Sequence, residues 1–550
     1  MAFTKQARDR LQKFVKRVRG IIEDDFCSQL QSIYGMDPET GTIAELSDLR
    51  HLNTTLFETA SDLREIYEHY LAQKSNAAKD DRIFVLRRIL REQTQTTLHR
   101  LCAVRMAEER GVLMPSLSSG MQSTGFLNYQ FAVGVSLGSQ FAAYEKYLKS
   151  VFDELAQDLP QIFDRTLPFG LLFLREKALT AVLAEINAGD LCSTGEEKSF
   201  WAEDETIGWI FQYFNSDEDF STMRGQQNKN PRNSYELAVR NQFFTPRYVV
   251  EFLIDNTLGR LWAESTNGRT RLLKQCRSLL LDVSESQLPV MLRDPRSLRI
   301  LDPACGSMHF GLYAFDVLET IYEECWDWEV ADPEHRLSLI PEGELPLRKA
   351  YDSKAAFLAD VPRLIIKYNL YGVDIDVRAT QIASLALWLR AQRSLQQQNI
   401  PAAKRPSLGN GNVVAAVAPP PEKDLARTIE SRLTKRAAAG YKALSEGSLS
   451  LIPETGILLP LERSLASVQE ALVAQNNAQQ SLLGEEVTQL SLGLETTQWE
   501  NQRDAVRSAL NLYIEEAGHS FQEQLFVRDA MQCLKLIDLC TLHFDAIVMN

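Results

Sequence analysis

The chain lacks the marks of several large protein classes. Its eight Cys, at 27, 102, 192, 276, 305, 325, 533 and 540, form no Cys-x-x-Cys pair and no His-flanked cluster. That pattern excludes a disulfide scaffold, gives zinc no ligand spacing, and points to a reducing cytoplasm. There is no run of 18 apolar residues and no signal peptide ahead of a small-residue cleavage site, so a soluble protein that does not enter membranes is expected. Positive charge is not in excess either. Lys and Arg number 59 against 73 Asp and Glu, a net charge of −14, so any nucleic-acid contact needs a local basic patch. The most conspicuous glycine turn is neither Gly-x-Gly-x-x-Gly nor a phosphate loop, for it has no Lys-Ser/Thr pair and carries acid where a phosphate would want amides.

That turn organises the rest. In Leu298-Arg-Ile-Leu-Asp-Pro-Ala-Cys-Gly-Ser-Met-His-Phe-Gly311, the residues Leu298, Ile300 and Leu301 read as the end of a buried strand. Asp302 closes the strand, Pro303 stops it and Gly306 permits a tight turn. From Phe310 the residues Leu312, Phe315, Leu318, Ile321 and Tyr322 have helical spacing. A second unit follows, where Leu370-Tyr-Gly-Val-Asp-Ile-Asp376 ends in two carboxylates before Ala379, Ile382, Ala383, Leu385, Ala386 and Leu389. Strand, turn and helix repeated in this way predict a doubly wound α/β sheet, whose ligands sit outside the strand carboxyl ends. An acidic turn suits a ligand with a cationic end, and an acid after the second strand suits a ribose diol.

Asp-Pro-Ala-Cys-Gly-Ser (302–307) with Gly-Val-Asp-Ile-Asp (372–376) resembles the S-adenosylmethionine motifs of adenine-specific (N6) DNA methyltransferases. Phe244-Thr245-Pro246 looks like the family's Phe-x-Thr-Pro-type element, which precedes the first motif in the gamma-class order. Phe544-Asp-Ala-Ile-Val-Met-Asn550 looks like the strand leading into the catalytic Asn-Pro-Pro-Tyr/Phe, with the sequence stopping at the Asn. Arg100–Gly111 and Trp201–Phe214 are similar to segments of the BREX- and DISARM-type phage-defence methyltransferases, and type IIG enzymes share the motif order.

The resemblance implies an α/β Rossmann-like S-adenosylmethionine-dependent methyltransferase domain, incomplete at its carboxyl end and preceded by a mainly α-helical domain. It implies S-adenosyl-L-methionine as cofactor and double-stranded DNA as substrate, with defence-system proteins as further partners and no metal. Asp302, Ala304 and Gly306 would meet the methionine end, together with the lid Phe244, Thr245 and Pro246. Asp374 would take the ribose, with Asp376 as a second acid. Asn410 or Asn412, in Leu408-Gly-Asn-Gly-Asn412, would touch the adenine ring, an Asn-Gly turn being the plain alternative. Asn550 would be catalytic. A different class also fits the residues: a catalytically silent scaffold that binds cofactor and partners. Met308 replaces the family's usual Gly and either tolerates the turn or narrows the pocket.

The remaining stretches sort into regions. Residues 1–220 read as helical, 221–240 as a polar linker, 241–420 as the methyltransferase domain, 421–540 as a helical insertion and 541–550 as the start of the last strand. Arg8, Arg10, Lys13, Lys16, Arg17 and Arg19 could touch DNA phosphates or form the wet face of a helix whose Phe14, Val15 and Val18 point inward. A long helix over 82–110 should be capped by Gly111. Residues 112–128 read as a loop and 325–362 as an insertion whose Trp326 and Trp328 pack. The aromatics of 201–214 read as core, with Glu203, Asp204 and Glu205 favouring the positive end of the following helix. Thr245 is expected to cap a helix whose first residue is Pro246. Cys305 and His309 read as packing residues. No nuclease signature, a carboxylate followed by Glu-x-Lys, is found.

Overall fold

The computed structural model describes residues 3–72, 79–134, 138–192, 199–214, 245–280, 291–332, 334–409, 411–417, 521–540 and 542–550. The expected linker 221–240, the candidate residues Phe244 and Asn410, and most of the expected insertion 421–540 lie outside the described residues.

The amino-terminal part is built on long helices: α1 (Lys5–Ser32), α2 (Thr54–Ala72), α3 (Lys79–Glu109), α4 (Gln140–Leu155), α5 (Glu176–Ile186) and α6 (Thr206–Phe214). Helix α1 starts because Thr4 is extended and its hydroxyl accepts the Ala7 amide at 3.2 Å. Its apolar stripe, with Phe14, Val15 and Val18 fully buried, faces α3, α5 and α6. Several basic residues of its other face are taken up by neighbours. Arg17 pairs with Glu185 at 2.7 Å, and Arg8 lies 5.4 Å from the Trp209 ring centre. Helix α3 ends in a left-handed Gly111 (φ +62), with the Val112 amide donating to Ala107 and the Gly111 amide to Glu108, as the sequence predicted. The expected loop 112–128 instead contains the start of a further helix, Thr124–Val133. Trp201, Ile207, Phe211 and Phe214 are core.

The second part carries helices α7 (Arg247–Ile254), α8 (His309–Ala331), α9 (Lys354–Tyr368), α10 (Val377–Gln397) and α11 (Phe521–Cys540). Its strands are β1 (Met291–Arg293), β2 (Ile300–Asp302), β3 (Arg336–Ser338), β4 (Leu370–Asp374), β5 (Asn412–Ala415) and β6 (Ala546–Ile547). Four of them form an all-parallel sheet in the order β5-β4-β2-β6, with Ile300 opposite Leu370 on one side and Ala546 on the other. The first and second βα units are therefore adjacent, which puts their carboxyl ends side by side. Buried Asn369 staples the opposite ends, donating to the carbonyls of Pro295 and Leu298 at 2.7 Å each. A separate parallel pair, β1 with β3, was not foreseen. Helix α8 runs on to Ala331, so Trp326 and Trp328 belong to it and the insertion begins later than 325. Trp326 stacks on Phe357 and Trp328 on His335. One apolar cluster runs through both parts of the chain.

Candidate cofactor and base site

The geometry at the sheet's carboxyl edge is set by a short turn over glycines. Between β2 and α8 the chain turns through Gly306 (φ +51) and Met308 (φ +66). The Cys305 amide donates to the Val373 carbonyl at 2.9 Å and the Gly306 amide to the Asp374 carboxylate at 2.9 Å, so the turn is sewn to the end of β4. This close approach requires Gly372. A Cβ there would stand 3.1 Å from Cys305 Cβ and Sγ and from Met308 Sδ. Met308 is 1% exposed, and its side chain also covers Gly311. It therefore tolerates the left-handed turn, at a strain of about 1–2 kcal/mol, and fills the core rather than walling the space outside the strands. A Cβ on Gly306, by contrast, would meet nothing within 4 Å, so the turn's own face is open.

Two carboxylates border that opening. Asp302, buried at the end of β2, accepts the Ala304 amide at 3.2 Å, and burial lifts its carboxyl to about 7, with the Asp374 charge adding to the lift. Asp374 accepts the amides of Gly306 and Asp376, yet burial still lifts it to about 6. Ala304 is exposed at the turn. On the other side of β2, β6 is fixed by Asp545, which accepts the Arg299 amide at 2.8 Å and pairs with Arg293. Val548 donates to the Leu301 carbonyl, and the chain then reaches Asn550. The Asn550 amide nitrogen donates to the Thr245 hydroxyl at 3.2 Å, across 305 residues of sequence. The structure thus brings Asp302, Ala304, Gly306 and Asp374 together at adjacent strand ends, and Asn550 together with Thr245.

Three expectations meet a different geometry. Asp376 is already engaged by its own helix. Its carboxylate accepts the Arg378 amide at 2.9 Å as the cap of α10 and pairs with the Arg378 guanidinium at 2.9 Å, which holds it below the ordinary carboxylate range against the cost of burial. Asn412 begins β5 instead of following it, and its amide donates to the carbonyls of Ile366 and Lys367. The end of β5 carries Ala415 and Ala416 instead of an acid or amide. Finally, Pro246 is the capping position of α7, which starts at Arg247, and the Thr245 hydroxyl meets Asn550 rather than a helix amide.

The sequence reading missed Arg247 and Glu205. Arg247 follows the Thr-Pro element directly and reaches Glu205 at 3.1 Å and Glu251 at 2.8 Å. It borders a cavity of about 160 Å³, together with Asp204, His309 and Tyr313. Burial, and then the Arg247 charge, push the His309 imidazole down to about 3, so it is neutral. The run Glu203–Glu205 was visible in the sequence but reads there as the helix's own electrostatic complement, and nothing local announces a partner 42 residues away. Among the described residues, no group of three His, Cys, Asp or Glu side chains could hold a metal, and no helix is long and apolar enough to cross a membrane.

No family model matches the chain. Over 202 residues, 35% of its length, it is 28% identical to the adenine-specific methyltransferase BrxX of Escherichia coli O9:H4 (strain HS), a stretch that is 14% of that protein. Over 375 residues, 61% of its length, it is 23% identical to the adenine-specific methyltransferase PglX of Lacticaseibacillus casei (strain Zhang), 28% of that protein. The chain spans less than a third of the length of either curated relative. On these two matches and the order of its motifs, the chain is similar to the BREX-type adenine-specific methyltransferases.

Proposed function

We propose that the chain carries the cofactor site and the base-facing Asn of a site-specific DNA adenine N6-methyltransferase that uses S-adenosylmethionine and acts in phage defence or restriction-modification. The fold is then a Rossmann-like methyltransferase domain packed on a helical amino-terminal domain. The observation that carries the reading is the pair of strand-end carboxylates, Asp302 and Asp374, either side of an open glycine turn. Their raised carboxyls mark acid held without a positive partner among the described residues, and a ligand with a cationic end and a diol fits that donor set.

Bound there, S-adenosylmethionine supplies an electrophilic methyl group. Asp374 would accept from the ribose hydroxyls, Asp302 would face the cationic end, and Gly306 would let the backbone come close. An adenine inside a duplex is out of reach, so the target base is flipped out. The Thr245–Asn550 contact then has a chemical use. With the amide nitrogen held by Thr245, the Asn550 carbonyl oxygen is left to accept from the exocyclic amine of the base. That bond keeps the amine's lone pair aligned for attack and stabilises the charge that develops on the nitrogen.

The test is transfer of labelled methyl from S-adenosylmethionine to duplex DNA, read as N6-methyladenine after hydrolysis, for the chain and for Asn550→Ala. The reading expects N6-methyladenine, with the variant about a hundredfold or more slower. Methyl on another base or position refutes it. Cofactor binding with no transfer by the unaltered chain favours the silent-scaffold role instead.

A further inference from the structure

The acidic turn ahead of α6 joins the two parts of the chain through arginines. Asp204, 6% exposed, accepts from Arg110 at the end of α3 at 2.9 Å and pairs with Arg393 of α10 at 2.8 Å. Glu205, the next residue, pairs with Arg247. Arg247 is the first residue of α7, separated from Thr245 only by Pro246, and Thr245 holds Asn550. The same turn leads into Gly208, where a Cβ would stand 2.6 Å from Ser307 Oγ of the cofactor turn. So α6 touches the 302–309 turn at one point and anchors the Thr-Pro element at another.

We propose that Glu205 is a positioning residue: through Arg247 it holds the start of α7, and so Thr245 and Asn550, in register with the cofactor turn. The proposal rests on the reading of the site given above. Two features make this more than an ordinary surface ion pair. Glu205 has a side chain only 13% exposed, where an ion pair is screened less than at the surface. Arg247 also stands beside the 160 Å³ cavity, where its guanidinium lies 5.3 Å from the Tyr313 ring centre and has room to shift if the acid is lost. Its second partner, Glu251, lies on α7 itself and moves with it. Among the described residues, Glu205 is therefore the ion-pair partner through which this arginine ties α7 to the amino-terminal part.

The test combines S-adenosylmethionine titration with hydrogen exchange of α7 amides, each for the unaltered chain, Glu205→Gln, Glu251→Gln, Arg247→Met and the Glu205→Gln/Arg247→Met double variant. Glu205→Gln should weaken binding at least fivefold and speed exchange in 247–254, with the melting temperature close to that of the unaltered chain. Glu251→Gln should leave affinity within twofold. The double variant should bind no more weakly than Arg247→Met, since both act through one pair. Coupling is reciprocal, so bound cofactor should slow α7 exchange in the unaltered chain and fail to do so in Glu205→Gln. A purely structural role would leave that response intact, and an intact response overturns the proposal, as does unchanged affinity in Glu205→Gln. If the unaltered chain binds no cofactor, the reading of the site fails. The latch is then judged by α7 exchange in Glu205→Gln: faster exchange upholds it and unchanged exchange overturns it.

Discussion

Replacing Gly372 with Ala puts the seat of the 302–309 turn under direct strain. The added methyl would meet Cys305 Cβ, Cys305 Sγ and Met308 Sδ, all at 3.1 Å. Neither neighbour moves cheaply. The Cys305 amide is bonded to Val373, and Met308 is wedged over Gly311, where a Cβ would stand 2.6 Å from its Cγ. Overpacking of this kind costs about 1–3 kcal/mol. At about 2–4 °C per kcal/mol for a domain of this size, the melting temperature should fall by about 2–12 °C. Met308→Ala alone removes a buried side chain and should cost about 2–5 kcal/mol. It also frees the space that the Gly372 methyl needs. The double variant should therefore melt higher than the sum of the single shifts predicts, by the equivalent of about 1 kcal/mol or more. Thermal melts of the four proteins decide the matter. Strictly additive shifts would mean that Met308 does not fill the space above Gly372, and the account of how the turn is seated would be wrong.

Other perturbations separate structural from ligand-facing groups. Asp376→Asn loses a cap and leaves Arg378 short of its acid, so the melting temperature should fall by several degrees, but titration should show cofactor affinity within threefold of the unaltered chain. Arg110→Met removes five hydrogen bonds made inside the protein, to Met106, Trp201, Ala202, Leu389 and Asp204. It should cost about 3–5 kcal/mol, read as a fall in melting temperature or a loss of soluble protein. Cofactor affinity should rise with pH. A carboxyl with its midpoint near 6 is about a quarter ionised at pH 5.5 and almost fully so at 7.5, so Asp374 alone predicts about fourfold weaker binding at the lower pH. Stability of the free protein should respond the other way. Asp302 and Asp374 titrate near 7 and 6 when folded and near 3.8 when unfolded, so the folded state holds more protons between about pH 4 and 7. Their contribution to stability is therefore lost as pH rises through that window, which melts at pH 5 and 7.5 will show.

The parts of this molecule that were legible in the sequence are those specified locally. Two apolar strands ending in acids, a glycine turn and helical spacing afterwards were enough to place Asp302 and Asp374 at strand carboxyl ends, because a βα unit is fixed by residues within one short stretch; that the two strands are neighbours is set by the fold. Gly111 as the end of α3 was legible for the same reason. Asp376 carried its own signal, since an acid two residues before an arginine at a helix start is a cap, but its closeness to Asp374 invited a ligand role. Met308 could not be resolved from sequence, because whether a side chain at a left-handed position points inward depends on glycines at 311 and 372 that only the fold brings beneath it. The pairs of Arg110, Arg247 and Arg393 with the 204–205 turn join residues far apart in sequence, and an arginine that will be buried reads like any other. The three-residue strands β1 and β3 are too short to show alternation.

The central claim is that the paired strand-end acids hold S-adenosylmethionine, and calorimetric titration of the cofactor into the 550-residue chain beside Asp374→Ala tests it most directly. The account predicts saturable binding that the substitution weakens tenfold or more, about 1.4 kcal/mol. Equal affinity in both proteins, or no binding by a folded chain, would contradict it.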